Sequence, residues 1–149
     1  MMQARMKNPV SIFPEASQAI ADLNAAVDRS SLAPATRNLA RLRGSQLNGS
    51  SSCIYEASKQ AREAGETEVR LIGLTGWRQS PNYTGAERAA LALTEEVTRL
   101  EGADPVPDHV WQDASRHFGE DAISALLLTI TITNVSNRFS ISTRQVAGS

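Results

Sequence analysis

The chain has 149 residues, 41% of them apolar and 21% charged, with a formal net charge of −1. This composition fits one soluble domain over residues 1–149 with a sizeable core, with neither a basic stripe for nucleic acid nor an acidic tail. No apolar run reaches the roughly 18 residues of a membrane span, and one cysteine excludes an internal disulfide and any zinc ribbon.

The leader, residues 1–13, carries Arg5 and Lys7 without a long apolar stretch behind them, so no secretory signal is expected and a cytoplasmic location is the default. Residues 14–30 place Ala19, Ile20, Leu23, Ala26 and Val27 at helical spacing behind Pro14, and residues 34–49 repeat the pattern with Leu39, Leu42 and Leu47. That second helix stops at Asn48-Gly49, a common terminator. Residues 50–64 restart a helix that Gly65 ends, and residues 66–80 form a shorter piece interrupted by two glycines. Residues 84–102 give the strongest helical signal, with Thr84 and Glu87 in capping-box spacing and Tyr83 positioned as a hydrophobic staple. Residues 107–119 form another helix.

Residues 120–139 pose the main ambiguity. Ile130, Thr131, Ile132 and Thr133 favour a strand by propensity. The segment is long, has no turn signal and finds no second strand to pair with, so a buried helix is predicted. The result is an all-α domain of about seven helices.

Cys53 falls about four residues into the helix that follows Asn48-Gly49. Unpaired N–H groups and the helix dipole there favour a thiolate. The competing reading is a small buried apolar residue. His109 and His117 stand eight apart on one amphipathic helix without a Cys or carboxylate at ligand spacing, which reads as surface and predicts no metal. Trp77 reads as a core or interface aromatic, and Arg138 as one half of a structural salt bridge. Ser45 and Gln46 either hydrogen-bond into a pocket near Cys53 or only cap. Glu56 is expected to turn away from Cys53 into solvent, and Tyr55 to edge into a subunit contact.

The run RLRGSQLNGSSSCIYEASKQAREAGETEVRLIGLTGWRQSPNYTGAERAALALTEEVT, together with the C-terminal NVSNRFSISTRQVAG, closely resembles the alkylhydroperoxidase D-like branch of the carboxymuconolactone decarboxylase family. The resemblance extends from about residue 8 to the C-terminus. It implies an all-helical fold assembled as trimers or hexamers, and a Cys-x-x-Cys-x-x-x-His peroxidase site with a Glu on the preceding helix. In that motif the first Cys falls at Ser50, the second at Cys53, the His at Ala57 and the Glu at Asn38. On a helix, positions 50, 53 and 57 lie within roughly 60° of one another, so the motif gathers thiols and proton shuttle on one face.

This chain keeps one of those four groups. Ser50 cannot close a disulfide with Cys53, Ala57 cannot move a proton, and Asn38 cannot act as a base. Loss of proton transfer alone typically costs about 10²–10⁴-fold. The last helix departs as well: where the branch carries Trp between two asparagines, Ser136 stands between Asn134 and Asn137. If Ala57 and Ser136 line one pocket, that pocket is enlarged.

Three readings remain. The first is a cofactor-free, non-redox enzyme (isomerase, cyclase or lyase) acting on a small organic molecule. Cys53, Ser50 and Asn38 would be its catalytic positions, and Gln46, Ala57, Tyr55, Trp77 and Ser136 would line its substrate pocket. The family's lactone-decarboxylating branch makes this plausible by analogy. The second is a catalytically silent member, by natural or deliberate substitution. The third is a one-cysteine peroxidase that relies on Cys53 and an external thiol.

Overall fold

The computed structural model describes residues 1–149. Seven α-helices and no strands follow one another: α1 (Pro14–Asp28), α2 (Pro34–Asn48), α3 (Ser51–Glu63), α4 (Glu68–Gly73), α5 (Gly85–Arg99), α6 (Asp108–His117) and α7 (Glu120–Thr143). Short 3₁₀ turns cover Pro9–Ser11 and Leu74–Gln79. The stretch predicted as one short helix over 66–80 is therefore two pieces, with Gly76 leaving helical geometry inside the second.

Helix α2 is the hub and packs against α3, α5 and α7, while α1 lies on α7 and α6 on α5. One apolar cluster joins α1, α5, α6 and α7 through Val27, Leu93, Val110, Leu126 and Ile130. A second joins α2, α3, α4 and the turn after it through Leu39, Leu42, Ala61, Leu71, Leu74 and Trp77. No helix is long and apolar enough to cross a membrane.

The strand-like residues of α7 are helical because the helix absorbs their hydroxyls. Thr129, Thr131 and Thr133 donate to the carbonyls of Ala125, Leu127 and Thr129 at 2.8, 2.9 and 2.7 Å. The side chains thus cap carbonyls one turn back, while Ile130 and Ile132 remain buried.

Helix α5 begins with the expected capping box, Thr84 and Glu87 bonding reciprocally. Tyr83 is not a staple, because the partner position one turn into α5 is Arg88. It is instead a buried core residue whose hydroxyl donates to the Arg70 carbonyl. Two buried carboxylates of α5 tie the scaffold together. Glu87 pairs with Arg70 at 2.6 Å, and Glu95 accepts from Trp77 Nε1 at 2.9 Å while pairing with Arg43 and Arg78 at 2.9 and 2.8 Å. Burial alone would raise both carboxyl groups. The Arg70 contact at Glu87, and the Trp77, Arg43 and Arg78 bonds at Glu95, outweigh it and hold both below the usual carboxylate range.

Candidate functional site

The chain reverses between α2 and α3 in two residues. Gly49 takes the left-handed conformation at φ 69°, and its N–H and that of Ser50 return to the α2 carbonyls, Ser50 N reaching Ser45 O at 3.1 Å. Glycine adopts this conformation without steric cost. Ser50 becomes the N-cap residue of α3, and Cys53 lies in its first turn.

Ser50 does not cap with its side chain. No α3 amide donates to its Oγ, the residue is 2% exposed, and the hydroxyl is buried without a partner. Cys53 is half-buried, and its thiol donates to Ser140 Oγ on α7 at 3.5 Å.

Beside the thiol is a cavity of about 160 Å³ bounded by four helices. Helix α3 contributes Cys53 and Ala57, α7 contributes Ser136 and Asn137, α2 contributes Arg41 and Ser45, and α1 contributes Ile20 and Asn24. Ala57 and Ser136 thus meet at one cavity. Its far wall is fixed by an amide network. Asn137 Nδ2 donates to Ser45 Oγ at 3.1 Å, and Asn48 Nδ2 donates to the side-chain oxygens of Asn137 and Asn134 at 2.9 and 3.0 Å. The two asparagines of the α7 motif therefore bind α7 to α2 and set the cavity's width.

A larger open cleft of about 800 Å³ lies on the other side of Ser140, between Ser50–Ser52 and both chain ends. Among the positions singled out in the sequence it includes only Ser50.

The remaining sequence-predicted positions lie elsewhere. Asn38 borders a different surface cleft with Ala61 and Arg70. Gln46 is half-buried and accepts from Arg43 Nη1 at 3.3 Å. Tyr55 is exposed, with its ring against Gly148. Trp77 is 4% exposed in the core, with Arg78 stacked 4.4 Å above its ring. Arg138 bonds Asn134 of its own helix at 2.7 Å and forms no salt bridge. His109 and His117 are exposed, and no group of three metal-ligating side chains exists.

Of the cavity residues that the sequence reading did not place at the site, Glu56 and Arg41 carry charge. Glu56 is exposed, as expected, yet it also borders the cavity and does not turn away from it. It is three residues after Cys53, which on a helix means about 60° around the axis and the same face. Arg41 comes from α2, and a signal for it existed: Arg41, Ser45 and Asn48 are spaced four and three apart, a polar stripe beside the apolar one.

The model of the carboxymuconolactone decarboxylase family matches residues 14–96, more than half of the chain. The chain belongs to this family. YdfG of Bacillus subtilis (strain 168), an uncharacterized protein, is 35% identical over 130 residues, covering 87% of this chain and 88% of its own. The crystal structure of a protein of unknown function from Agrobacterium tumefaciens, ascribed to antioxidant defence as AhpD, superposes with a TM-score of 0.89 at 29% identity over 99% of each chain. That match sets the chain in the alkylhydroperoxidase D-like branch of the family. A cysteine-to-alanine variant of the debrominase Bmp8, in complex with 2,3,4-tribromopyrrole, shares the fold with a TM-score of 0.83. At 18% identity it covers 94% of this chain and 74% of its own.

Proposed function

We propose that this chain is a cofactor-free, non-redox enzyme of lyase or isomerase type that acts on a small organic molecule beside Cys53. The observation that carries this reading is the cavity itself. Where the branch's motif would put an imidazole and an indole, Ala57 and Ser136 leave about 160 Å³ bounded by a thiol, a carboxylate, amides and a guanidinium. An apolar cavity of about 150 Å³ holds a benzene-sized ring, so a six-membered ring or a short branched chain fits.

The same substitutions argue against peroxide turnover. Ser50 removes the resolving thiol and Ala57 the proton shuttle, so an oxidised Cys53 has no internal route back. The groups present suit proton transfer. The Glu56 carboxylate takes a proton from one carbon of the substrate and the Cys53 thiol returns one to another, with no net change in oxidation state. Bmp8 shows that a protein of this fold can hold a five-membered ring, which supports a small cyclic substrate here.

The test has two arms. Cumene hydroperoxide with excess dithiothreitol should not be consumed by this chain, whereas the combined Ser50→Cys, Ala57→His and Asn38→Glu variant should consume it. Consumption by the unaltered chain would show that Cys53 suffices and overturn the reading. Small unsaturated and enolisable compounds incubated in D₂O should gain deuterium, observed by proton NMR, and Cys53→Ala or Glu56→Gln should abolish the gain. Exchange that survives both substitutions would refute the assigned chemistry.

A further inference from the structure

Arg41 is the half-buried arginine without a partner. Arg37 donates to Asn24 at 2.9 Å and pairs with Asp28. Arg43 pairs with Glu95 at 2.9 Å and Arg70 with Glu87 at 2.6 Å. Arg88 donates to the carbonyls of Trp77 and Ser80 at 2.9 and 3.1 Å and to that of Arg78 at 2.6 Å. Arg41 is half-buried like these and lines the cavity beside Cys53, yet it makes no hydrogen bond or ion pair with any side chain or carbonyl.

No Arg41 nitrogen is fully buried, so its N–H groups turn to solvent, and a partly withdrawn guanidinium without a protein acceptor gains from a ligand that supplies one. The surroundings disfavour its charge: burial first, then the Arg37 charge one turn earlier, pull Arg41 below the usual arginine range, and Asp28 only partly opposes them. Glu56 borders the same cavity but is exposed, so solvent screens it and it forms no pair with Arg41. The cavity wall therefore offers a fork of unspent donors in a partly desolvated space too small for a large anion.

We propose that the cavity takes a small organic carboxylate and that Arg41 holds it by paired N–H···O bonds. The proposal rests on the reading of this cavity as the substrate site and adds the substrate's charge class. A planar carboxylate matches the guanidinium fork in a bidentate arrangement. Ser45, Asn24 and Asn137 complete a polar end, while Ala57, Ile20 and Ile132 give the body of the ligand an apolar one.

The single cysteine makes the test direct. The full chain labelled with ¹³Cβ-cysteine gives one resonance at the cavity wall. It is titrated with benzoate and with benzamide, which share size and shape and differ in charge. Benzoate should move the Cys53 resonance saturably at about tenfold lower concentration, the ratio one charge-assisted pair supplies. Arg41→Gln should erase that preference while the benzamide curve stays within about twofold. Arg41→Lys, which keeps the charge but loses the fork, should retain part of the preference and serves if the Gln variant fails to fold. Equal binding of both probes to the unaltered chain, or a preference that survives Arg41→Gln, overturns the carboxylate assignment and leaves the proposed enzyme standing. If neither probe moves the resonance, the cavity is not a ligand site and both readings fall.

Discussion

Replacing the N-cap serine of a helix by alanine ordinarily costs about 0.5–2 kcal/mol, because an amide of the first turn loses its acceptor. Ser50→Ala should do the opposite. No amide of α3 uses the Ser50 hydroxyl, and that hydroxyl is buried without a partner, a situation that costs about 1–3 kcal/mol. The bonds that hold the position are backbone bonds, Ser50 N to Ser45 O at 3.1 Å and Ile54 N to Ser50 O at 2.8 Å, and alanine keeps both. The backbone, at φ −84° and ψ 96°, lies in an extended region open to any residue. Removing one oxygen leaves a void far smaller than a water. The expected gain is about 1 kcal/mol, which for a chain of this size raises Tm by about 2–4 °C. In urea the unfolding midpoint should rise with an unchanged m-value. A Tm lower than that of the unaltered chain would mean the hydroxyl has a partner in solution, and the account of the α3 N-terminus would be wrong.

Glu95→Gln should destabilise by about 3 kcal/mol, the low end for breaking a buried ion pair, because Arg78 keeps 59% of its side chain exposed and remains partly solvated. Glu87 and Glu95 both sit below the usual carboxylate range in the folded chain. Their contribution is therefore complete above the unfolded carboxyl value of about 4.3. It is lost as pH falls through the lower folded values, so Tm should hold level from pH 7 to about 5 and decline below about 4.3. Thermal melts should show a shallower acid decline for Glu95→Gln, and parallel curves would show that Glu95 is not linked to acid unfolding. Ala57→Leu fills the cavity with three added carbons. At roughly 0.8 kcal/mol per buried carbon its gain is at most about 2.4 kcal/mol, and it should abolish the response of the Cys53 resonance to benzoate and benzamide alike. An unchanged benzoate titration would place that ligand elsewhere.

The helices were legible because their signals are local: apolar spacing, Pro14 and Pro34 at helix starts, Asn48-Gly49 at a stop and Thr84 with Glu87 at a cap. Length and the lack of a partner strand correctly outweighed the β-branched run in α7, and the threonine-to-carbonyl bonds give the physical reason. That Ala57 and Ser136 share one pocket was raised from the sequence, where the family resemblance implies bulkier side chains at both positions. What the sequence concealed depends on helices crossing. Arg138 reads as a salt-bridge partner, but no carboxylate from another helix reaches it. Trp77 gives no hint that its N–H ends on Glu95, 18 residues later. Arg41 is 12 residues before Cys53 across a reversal of the chain, so the polar spacing of Arg41, Ser45 and Asn48 does not by itself show what it faces. Glu56 is in solvent as expected, but three residues bring it to within about 60° of Cys53, so it borders the cavity as well.

The motif residues separate into two groups that act differently. Glu87, Glu95, Trp77, Asn134 and Asn137 hold helices to one another, and all of them are present. Ala57 and Ser136 bound the cavity and Ser50 opens the helix that carries the thiol; these are the positions where the resemblance implies other residues. An empty apolar void of 160 Å³ would cost about 4 kcal/mol at roughly 24 cal/mol per Å³, a large part of a typical domain's stability. This cavity is not apolar: Arg41, Ser45, Asn24 and Asn137 allow water to occupy it at far lower cost. Simple decay of a peroxidase site would account for one lost thiol and a lost imidazole. It gives no reason for a half-buried guanidinium on the wall that turns to solvent and not to a protein acceptor. That residue is what favours a working site over a silent one.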